Sequence, residues 1–496
     1  MSEKKVEFTL ERTVGASRQR TKEEPFGPEK YPYDSKAAVF PEGFLWASGM
    51  AANQAEGGYD EGGRGLSNVD VVPFGEKRIE IATGQIVNVN FEIGDYFPSH
   101  KAADMYHHYK EDVALMKEAG LNAHKLSISW SRIFPCGDEE IPNEAGLAYY
   151  ESFIDECLKN GIEPILEITH WDQPLEAIKK YGGWKNRKFI DLYLKLVKAL
   201  VDRVGNKINY WLTIHESDCL TSYAFLVAGI YKESDETFGQ DKLNAAHNMF
   251  VASAKAKAMI KKAYPKAKVG AMVGLTFAYP YSCKPIDVLA SHKYAQMSAW
   301  MFADVLCRGY YPGYAKKEFE RIGLTIPYVD GDDELLKSNT LEFILFSYYN
   351  SLTTKAGSLY YYDNPFVGNS MDPMGLRIIL NRIYDRYQIP VMLGEIAIKT
   401  KDTLEDGKIH DTDRSEFLKA HIKAIKDTIC EDGSDIMGCL FWEFVDNVSV
   451  SKGKMTDRYG LVYVDADDKG NGTYNRYKKD SFYAIKEVIE NKGANL

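Results

Sequence analysis

The run Y-W-L-T-I-H-E at 210–216 decides how this chain is read. A half-apolar stretch of seven residues ending on a histidine and a glutamate looks like a strand that delivers ionisable groups to one place. Seven further runs share that character: F-L-W-A-S-G (44–49), L-N-A-H-K-L-S-I-S-W (121–130), I-E-P-I-L-E-I-T-H (162–170), K-V-G-A-M-V-G (268–274), F-I-L-F-S-Y-Y (343–349), P-V-M-L-G-E (390–395) and M-G-C-L-F-W (437–442). Amphipathic stretches lie between them. In 101–119, Ala102, Met105, Tyr109, Val113 and Met116 recur at three-to-four spacing, and similar helical patterns occupy 186–204, 243–263 and 412–428. Eight strands, each followed by a helix, imply parallel pairing through right-handed crossovers. Over 496 residues, closure into an α/β (β/α)8 TIM barrel is favoured over an open sheet.

Composition agrees with a large soluble core: 45% of residues are hydrophobic and 27% charged. Lys plus Arg number 61 against 71 Asp plus Glu, for a net charge of −10, and no basic tract could track a phosphate backbone, which argues against nucleic acid as a partner. The seven cysteines are scattered without C-x-x-C spacing and read as reduced, buried thiols, not as metal ligands or disulfides. The opening M-S-E-K-K-V-E-F has no apolar core of a signal sequence and no apolar run spans a bilayer, so a cytoplasmic protein with no membrane association is expected. Residues 1–38 are polar and interrupted by Pro25, Pro28 and Pro32, and read as an N-terminal arm before one domain over 39–496.

Barrels of this kind place their chemistry at the C-terminal ends of the strands. Those ends carry Gln54, Trp130 with Arg132, His170-Trp171-Asp172, His215-Glu216, Tyr348-Tyr349, Glu395 and Trp442. A lone glutamate at a strand end is more often a solvated or paired residue; here two face one mouth from opposite strands, among aromatics. A facing carboxyl pair is what glycosidic cleavage needs, one giving its proton to the leaving oxygen while the other attacks or activates water. Trp130, Trp171 and Trp442 offer flat faces for sugar rings, and Gln54, His170 and Asp172 offer directional bonds to hydroxyls, so a small carbohydrate is the expected ligand.

Several motifs then carry a resemblance. F-L-W-A-S-G-M-A-A-N-Q-A-E-G (44–57), F-P-S-H-K-A-A-D-M-Y-H-H-Y-K-E-D-V-A-L-M-K-E-A-G (97–120), S-I-S-W-S-R-I-F-P (127–135), T-H-W-D-Q-P (169–174), Y-G-G-W-K-N-R (181–187), A-A-H-N (245–248) and R-Y-G-L-V-Y-V-D (458–465) resemble the family 1 glycoside hydrolases, and most of all their intracellular 6-phospho-β-glucosidase branch. The resemblance implies a (β/α)8 barrel, retention of configuration and no cofactor or metal. By position it makes Glu216 the general acid/base and Glu395 the nucleophile. It places Gln54, His170 and Trp442 in the innermost sugar subsite and gives Tyr349 a hydrogen bond to the nucleophile.

The departures from that pattern touch both carboxyls. His215 stands where the family asparagine holds the sugar 2-hydroxyl, Lys125 where an arginine keeps the nucleophile ionised, and G-E-I-A (394–397) replaces E-N-G. Lysine keeps the charge but loses the bidentate fork, and a protonated His215 beside Glu216 would weaken the acid. In the loop S-V-S-K-G-K-M-T-D-R-Y-G (449–460), Ser449 and Tyr459 match the residues that grip a 6-phosphate, but Asp457 occupies the phosphate-lysine position, with Lys452 or Lys454 as substitutes. The expectation is a retaining β-glycosidase acting on β-glucosides, with or without a 6-phosphate. The alternatives are a catalytically weakened sugar-binding or sensing barrel, or a glycosidase for an unusual β-linked sugar. Homo-oligomerisation is left open.

Overall fold

The computed structural model describes residues 39–275, 277–357, 361–363 and 371–496. The arm expected over 1–38 lies outside them. All eight expected strands form, as β1 (Leu45–Gly49), β2 (Ala123–Ser127), β3 (Glu163–Glu167), β4 (Tyr210–His215), β5 (Lys268–Val273), β6 (Phe343–Tyr348), β7 (Val391–Ile396) and β8 (Ile436–Phe441). Each pairs in parallel with its neighbours in chain order, and β8 pairs with β1, so the sheet closes. Closure removes exposed edges and fills the interior with side chains. The expected helices appear as Met105–Glu118, Lys188–Val204, Asp235–Ala263 and Thr412–Cys430. The third begins earlier than its apolar stripe because Ser234 caps it, accepting from the Thr237 N–H at 3.2 Å.

Two apolar layers divide the strands. Ala47, Ala123, Ile165, Leu212, Met272, Leu345, Met392 and Leu440 fill the barrel interior. Trp211, Val269, Ile344, Leu393 and Cys439 face the surrounding helices. Strict alternation would carry β7 from Met392 inward to Ile396 inward, turning Glu395 away from the mouth. The register of β7 instead shifts between Leu393 and Glu395 against β6, so Glu395 points inward and Ile396 joins the outer layer. A second shift in β4, between Leu212 and His215, puts Ile214 in the outer layer and His215 inside. Such irregularities re-aim side chains next to active sites.

Five expectations are corrected here. The run 121–130 leaves the sheet at Ser127, and Trp130 opens a helical turn, where it is buried among Trp184, Phe189 and Tyr193 with ring centroids 6.2, 6.1 and 6.0 Å away. Trp130 is core and no sugar platform. Asp172 is fully buried outside the cleft lining, and burial holds its carboxyl well above the usual range. Arg132 pairs with buried Glu56 at 3.1 Å. Tyr348 sends its hydroxyl to the Asp372 carbonyl at 2.8 Å, away from the mouth. Of the cysteines, all free, Cys157 and Cys439 are buried as expected, but Cys136, Cys283 and Cys430 are exposed.

Candidate active site

A cleft of about 1200 Å³ opens at the C-terminal ends of the strands and is lined by Gln54, His170, Trp171, His215, Glu216, Tyr349, Glu395, Trp442, Ser449 and Tyr459. The residues to which the family resemblance gave catalytic or substrate-binding positions therefore meet in one place, whereas Trp130 and Asp172 do not reach it, and Lys125 lies beneath it on β2.

Glu216 follows β4 in a left-handed backbone conformation, φ 37° and ψ 56°, its N–H held by the Met272 carbonyl at 2.8 Å. A non-glycine residue pays strain for that conformation, and the hydrogen bonds around it keep it there. One carboxyl oxygen accepts from the Ser347 hydroxyl, the other from the Cys219 thiol at 3.4 Å. Burial raises the Glu216 pKa, and those two donors act against the rise. Glu395 accepts from the Tyr349 hydroxyl at 2.6 Å, and its other oxygen, Oε1, lies 3.6 Å from the Lys125 ammonium with no hydrogen-bond donor among the described residues. Burial raises Glu395 to about 7 against the pull of Lys125, and Glu216 adds to the rise. Two facing carboxyls that resist simultaneous ionisation favour the state needed for cleavage, one proton for two groups.

The surprise is Glu167 at the end of β3. It is wholly buried, and its carboxylate accepts from His215 Nδ1 at 2.8 Å, His170 Nδ1 at 3.0 Å and Lys125 Nζ at 3.0 Å. Burial alone would raise its pKa; Lys125, His215 and His170 outweigh that and hold it well below the usual carboxylate range. Lys125 therefore sits closer to Glu167 than to Glu395. His215 stacks on His170 with centroids 3.4 Å apart, and its Nε2 lies 3.8 Å from both Glu216 and Glu395. Burial, with His170 and Lys125 alongside, pushes its pKa well below the ordinary value, so the imidazole is neutral at pH 7 and puts no charge beside Glu216. Glu167, His170 and His215 bring ligand atoms within 4.8 Å of one another, a spacing a metal ion could bridge. The ammonium of Lys125 already supplies the positive charge that this cluster calls for.

Sequence reading passed over Glu167, although it stands inside the quoted run 162–170, two residues beyond inward-facing Ile165. Glu443 was passed over too. It lines the cleft while 1% exposed, accepts from the Asn447 N–H at 2.8 Å, and its carboxyl is pushed well above the usual range by burial and by Asp446 beside it. Around the rim, Ser449 Oγ accepts from the Lys454 N–H at 3.2 Å, and burial pushes the Tyr459 hydroxyl up to about 12. Asp457 draws in Lys399 at 3.5 Å and Lys452 at 3.9 Å, whereas Lys454 turns to Asp468 at 3.9 Å. Lys399, which also lines the cleft, comes from the segment after β7 and was not foreseen.

A family model, Glycosyl hydrolase family 1, matches residues 36–494. The chain belongs to that family. Among its relatives, the aryl-phospho-β-D-glucosidase BglA of Bacillus subtilis (strain 168) is 41% identical over 480 residues, covering 92% of this chain and 99% of the relative. The 6-phospho-β-glucosidase AscB of Escherichia coli (strain K12) is 41% identical over 475 residues, with 92% and 100% covered. The solved family 1 β-glucosidase from Thermotoga maritima superposes with a TM-score of 0.79 at 27% identity, with 92% of this chain and 99% of that one covered. This family 1 chain is accordingly a glycoside hydrolase built on the barrel described above. Among the described residues, no helix is long and apolar enough to cross a membrane.

Proposed function

We propose that this family 1 glycosidase is a cytoplasmic enzyme that cleaves β-glucosides bearing a 6-phosphate, with Glu395 as nucleophile and Glu216 as acid/base. The observation that carries the reading is the pair of buried carboxyls lining one cleft, with Tyr349 on the nucleophile at 2.6 Å. Glu395 attacks the anomeric carbon while the Glu216 proton passes to the leaving oxygen, giving a covalent glycosyl-enzyme. A water then gives its proton to Glu216 and displaces Glu395, so configuration is retained. Gln54, anchored through its amide to the Val448 carbonyl at 2.7 Å, keeps its own oxygen for a sugar hydroxyl. His170 and Trp442, with centroids 5.8 Å apart, wall the innermost subsite.

The phosphate is supported by the names of the 41% identical relatives, both phospho-glucosidases, and by Ser449 and Tyr459 in the lining. The missing lysine at 457 is answered by Lys399 and Lys452, which Asp457 gathers at the rim and a dianion could draw onto itself. The test compares nitrophenyl β-glucoside with its 6-phosphate on wild type, Glu395→Gln and Lys399→Ala. The reading expects the phosphorylated substrate to be preferred, Glu395→Gln to be inert, and Lys399→Ala to lose about tenfold on the phosphorylated substrate alone. Equal, negligible rates for wild type and Glu395→Gln on both substrates would leave the sugar-binding alternative in its place.

A further inference from the structure

We propose that the site selects β-glycosides carrying a protonated amine on the carbon next to the anomeric centre, the 2-amino-2-deoxy-β-glycosides. The inference rests on the assignment of Glu395 as nucleophile made above and concerns what Glu167 does to the two histidines over it.

An ionised carboxylate only accepts hydrogen bonds. Glu167 is kept ionised by Lys125 at 3.0 Å, so the ring nitrogens that meet it, His215 Nδ1 at 2.8 Å and His170 Nδ1 at 3.0 Å, must both be donors. Each ring is neutral in this buried setting, so its remaining nitrogen, Nε2, carries a lone pair. His215 is thereby locked as an acceptor. Its Nε2 lies 3.8 Å from the nucleophile oxygen Glu395 Oε1, and within the sugar ring the reacting carbon bonds only to the ring oxygen and to C2. The ring oxygen, itself an acceptor, is repelled by a lone pair. Nε2 therefore reads the substituent on C2.

Two acceptors border that substituent: His215 Nε2, and Glu395 Oε1, which is buried and has no hydrogen-bond donor among the described residues; the proton of Glu216, whose Oε2 lies 3.8 Å from Nε2, is committed to the leaving oxygen. An asparagine or glutamine at 215 would offer N–H groups as well and would suit a hydroxyl. A pair of acceptors suits a group that only donates, and an ammonium brings three donors and a positive charge. The charge matters because the Lys125 ammonium lies closer to Glu167, at 3.0 Å, than to Glu395, at 3.6 Å. A substrate cation beside Glu395 would complete the ionisation of the nucleophile that Lys125 leaves incomplete. A 2-acetamido group would turn a carbonyl oxygen toward the same acceptors and be rejected. Glu167 is a positioning residue here: it touches no substrate and acts through the tautomer of His215.

The test measures kcat/KM of wild type, His215→Asn, Glu167→Gln and Glu395→Gln on nitrophenyl β-glucoside, β-glucosaminide and N-acetyl-β-glucosaminide, each with and without a 6-phosphate. Inhibition by glucosamine and by glucose is measured alongside. Wild type should favour the glucosaminide over the matched glucoside by about tenfold or more, leave the acetamide untouched, and bind glucosamine better than glucose. His215→Asn should reverse the preference. Glu167→Gln, whose amide can donate to one Nδ1 and switch that ring, should narrow it. Glucoside turnover that depends on Glu395 with no glucosaminide advantage in wild type would overturn this proposal and leave the glycosidase assignment standing. If all six substrates are inert and Glu395→Gln matches wild type, both fall. Should a variant fail to fold, the wild-type ratio decides alone.

Discussion

Glu167→Gln is the most informative perturbation of the reaction itself. In the native site Lys125 Nζ lies 3.0 Å from Glu167 and 3.6 Å from Glu395, the proposed nucleophile, which burial pushes up to about 7. Removing the Glu167 charge frees the ammonium to close on Glu395. With an effective dielectric constant of about 20, moving a unit charge pair from 3.6 Å to a contact of about 2.8 Å is worth about 1.3 kcal/mol, or roughly one pK unit. The nucleophile must be ionised to attack, so kcat/KM rises with pH through its pKa, and lowering that pKa moves the rising limb down, from about 7 to about 6. The assay is a kcat/KM profile on one nitrophenyl substrate between about pH 4.5 and 9, fitted for both limbs. The limb position, not the absolute rate, is the readout, because the altered histidine tautomer will change the rate as well. A rising limb that stays in place or moves up would refute the claim that Glu167 and Glu395 compete for Lys125.

Tyr349→Phe removes a 2.6 Å bond to a charged oxygen, worth about 1.5–3 kcal/mol, so the rising limb should move up by about a unit or more and kcat/KM at pH 7 should fall at least about tenfold. Glu395→Gln should abolish turnover yet raise stability at high pH. Its carboxyl is moved from 4.5 up to about 7 by folding, so below pH 4.5 both states hold the proton and nothing is lost, whereas between 4.5 and about 7 the unfolded state alone ionises, and above about 7 folding stays about 3 kcal/mol weaker. The Tm of Glu395→Gln should therefore exceed that of wild type at pH 8 and approach it at pH 4, as scanning calorimetry would show. Arg476→Ala strands Asp112, 2.9 Å away and fully buried with it, and should cost about 3–5 kcal/mol in urea unfolding without shifting either limb of the pH profile.

Much of the site was readable because barrel chemistry collects at strand ends, and strand ends are visible as the last residues of apolar runs. Glu216, Glu395, His170, Tyr349 and Trp442 were found that way. Trp130 was misplaced for the same reason: its run continues past the point where the backbone leaves the sheet, and no local property separates Ser127 from Trp130 as the last strand residue. Glu167 and Glu443 were passed over because a glutamate in a strand run reads as solvated until its partners are known. Glu167 has three of them, drawn from β2, β4 and the turn after its own strand.

The periodicities of the chain, two in the strands and three-to-four in the helices, determined the eightfold barrel and which strand ends would meet. Those patterns follow from local backbone geometry, which sequence spacing expresses directly. What only the tertiary structure decided is the electrical state of the centre. The register shifts of β4 and β7 turn His215 and Glu395 into the mouth, and they exist only relative to the neighbouring strands. The division of one ammonium between Glu167 and Glu395, and the neutrality of His215, depend on distances between side chains from different strands and on the water those strands exclude. Coulombic attraction and desolvation act through space, and no spacing along the chain encodes them.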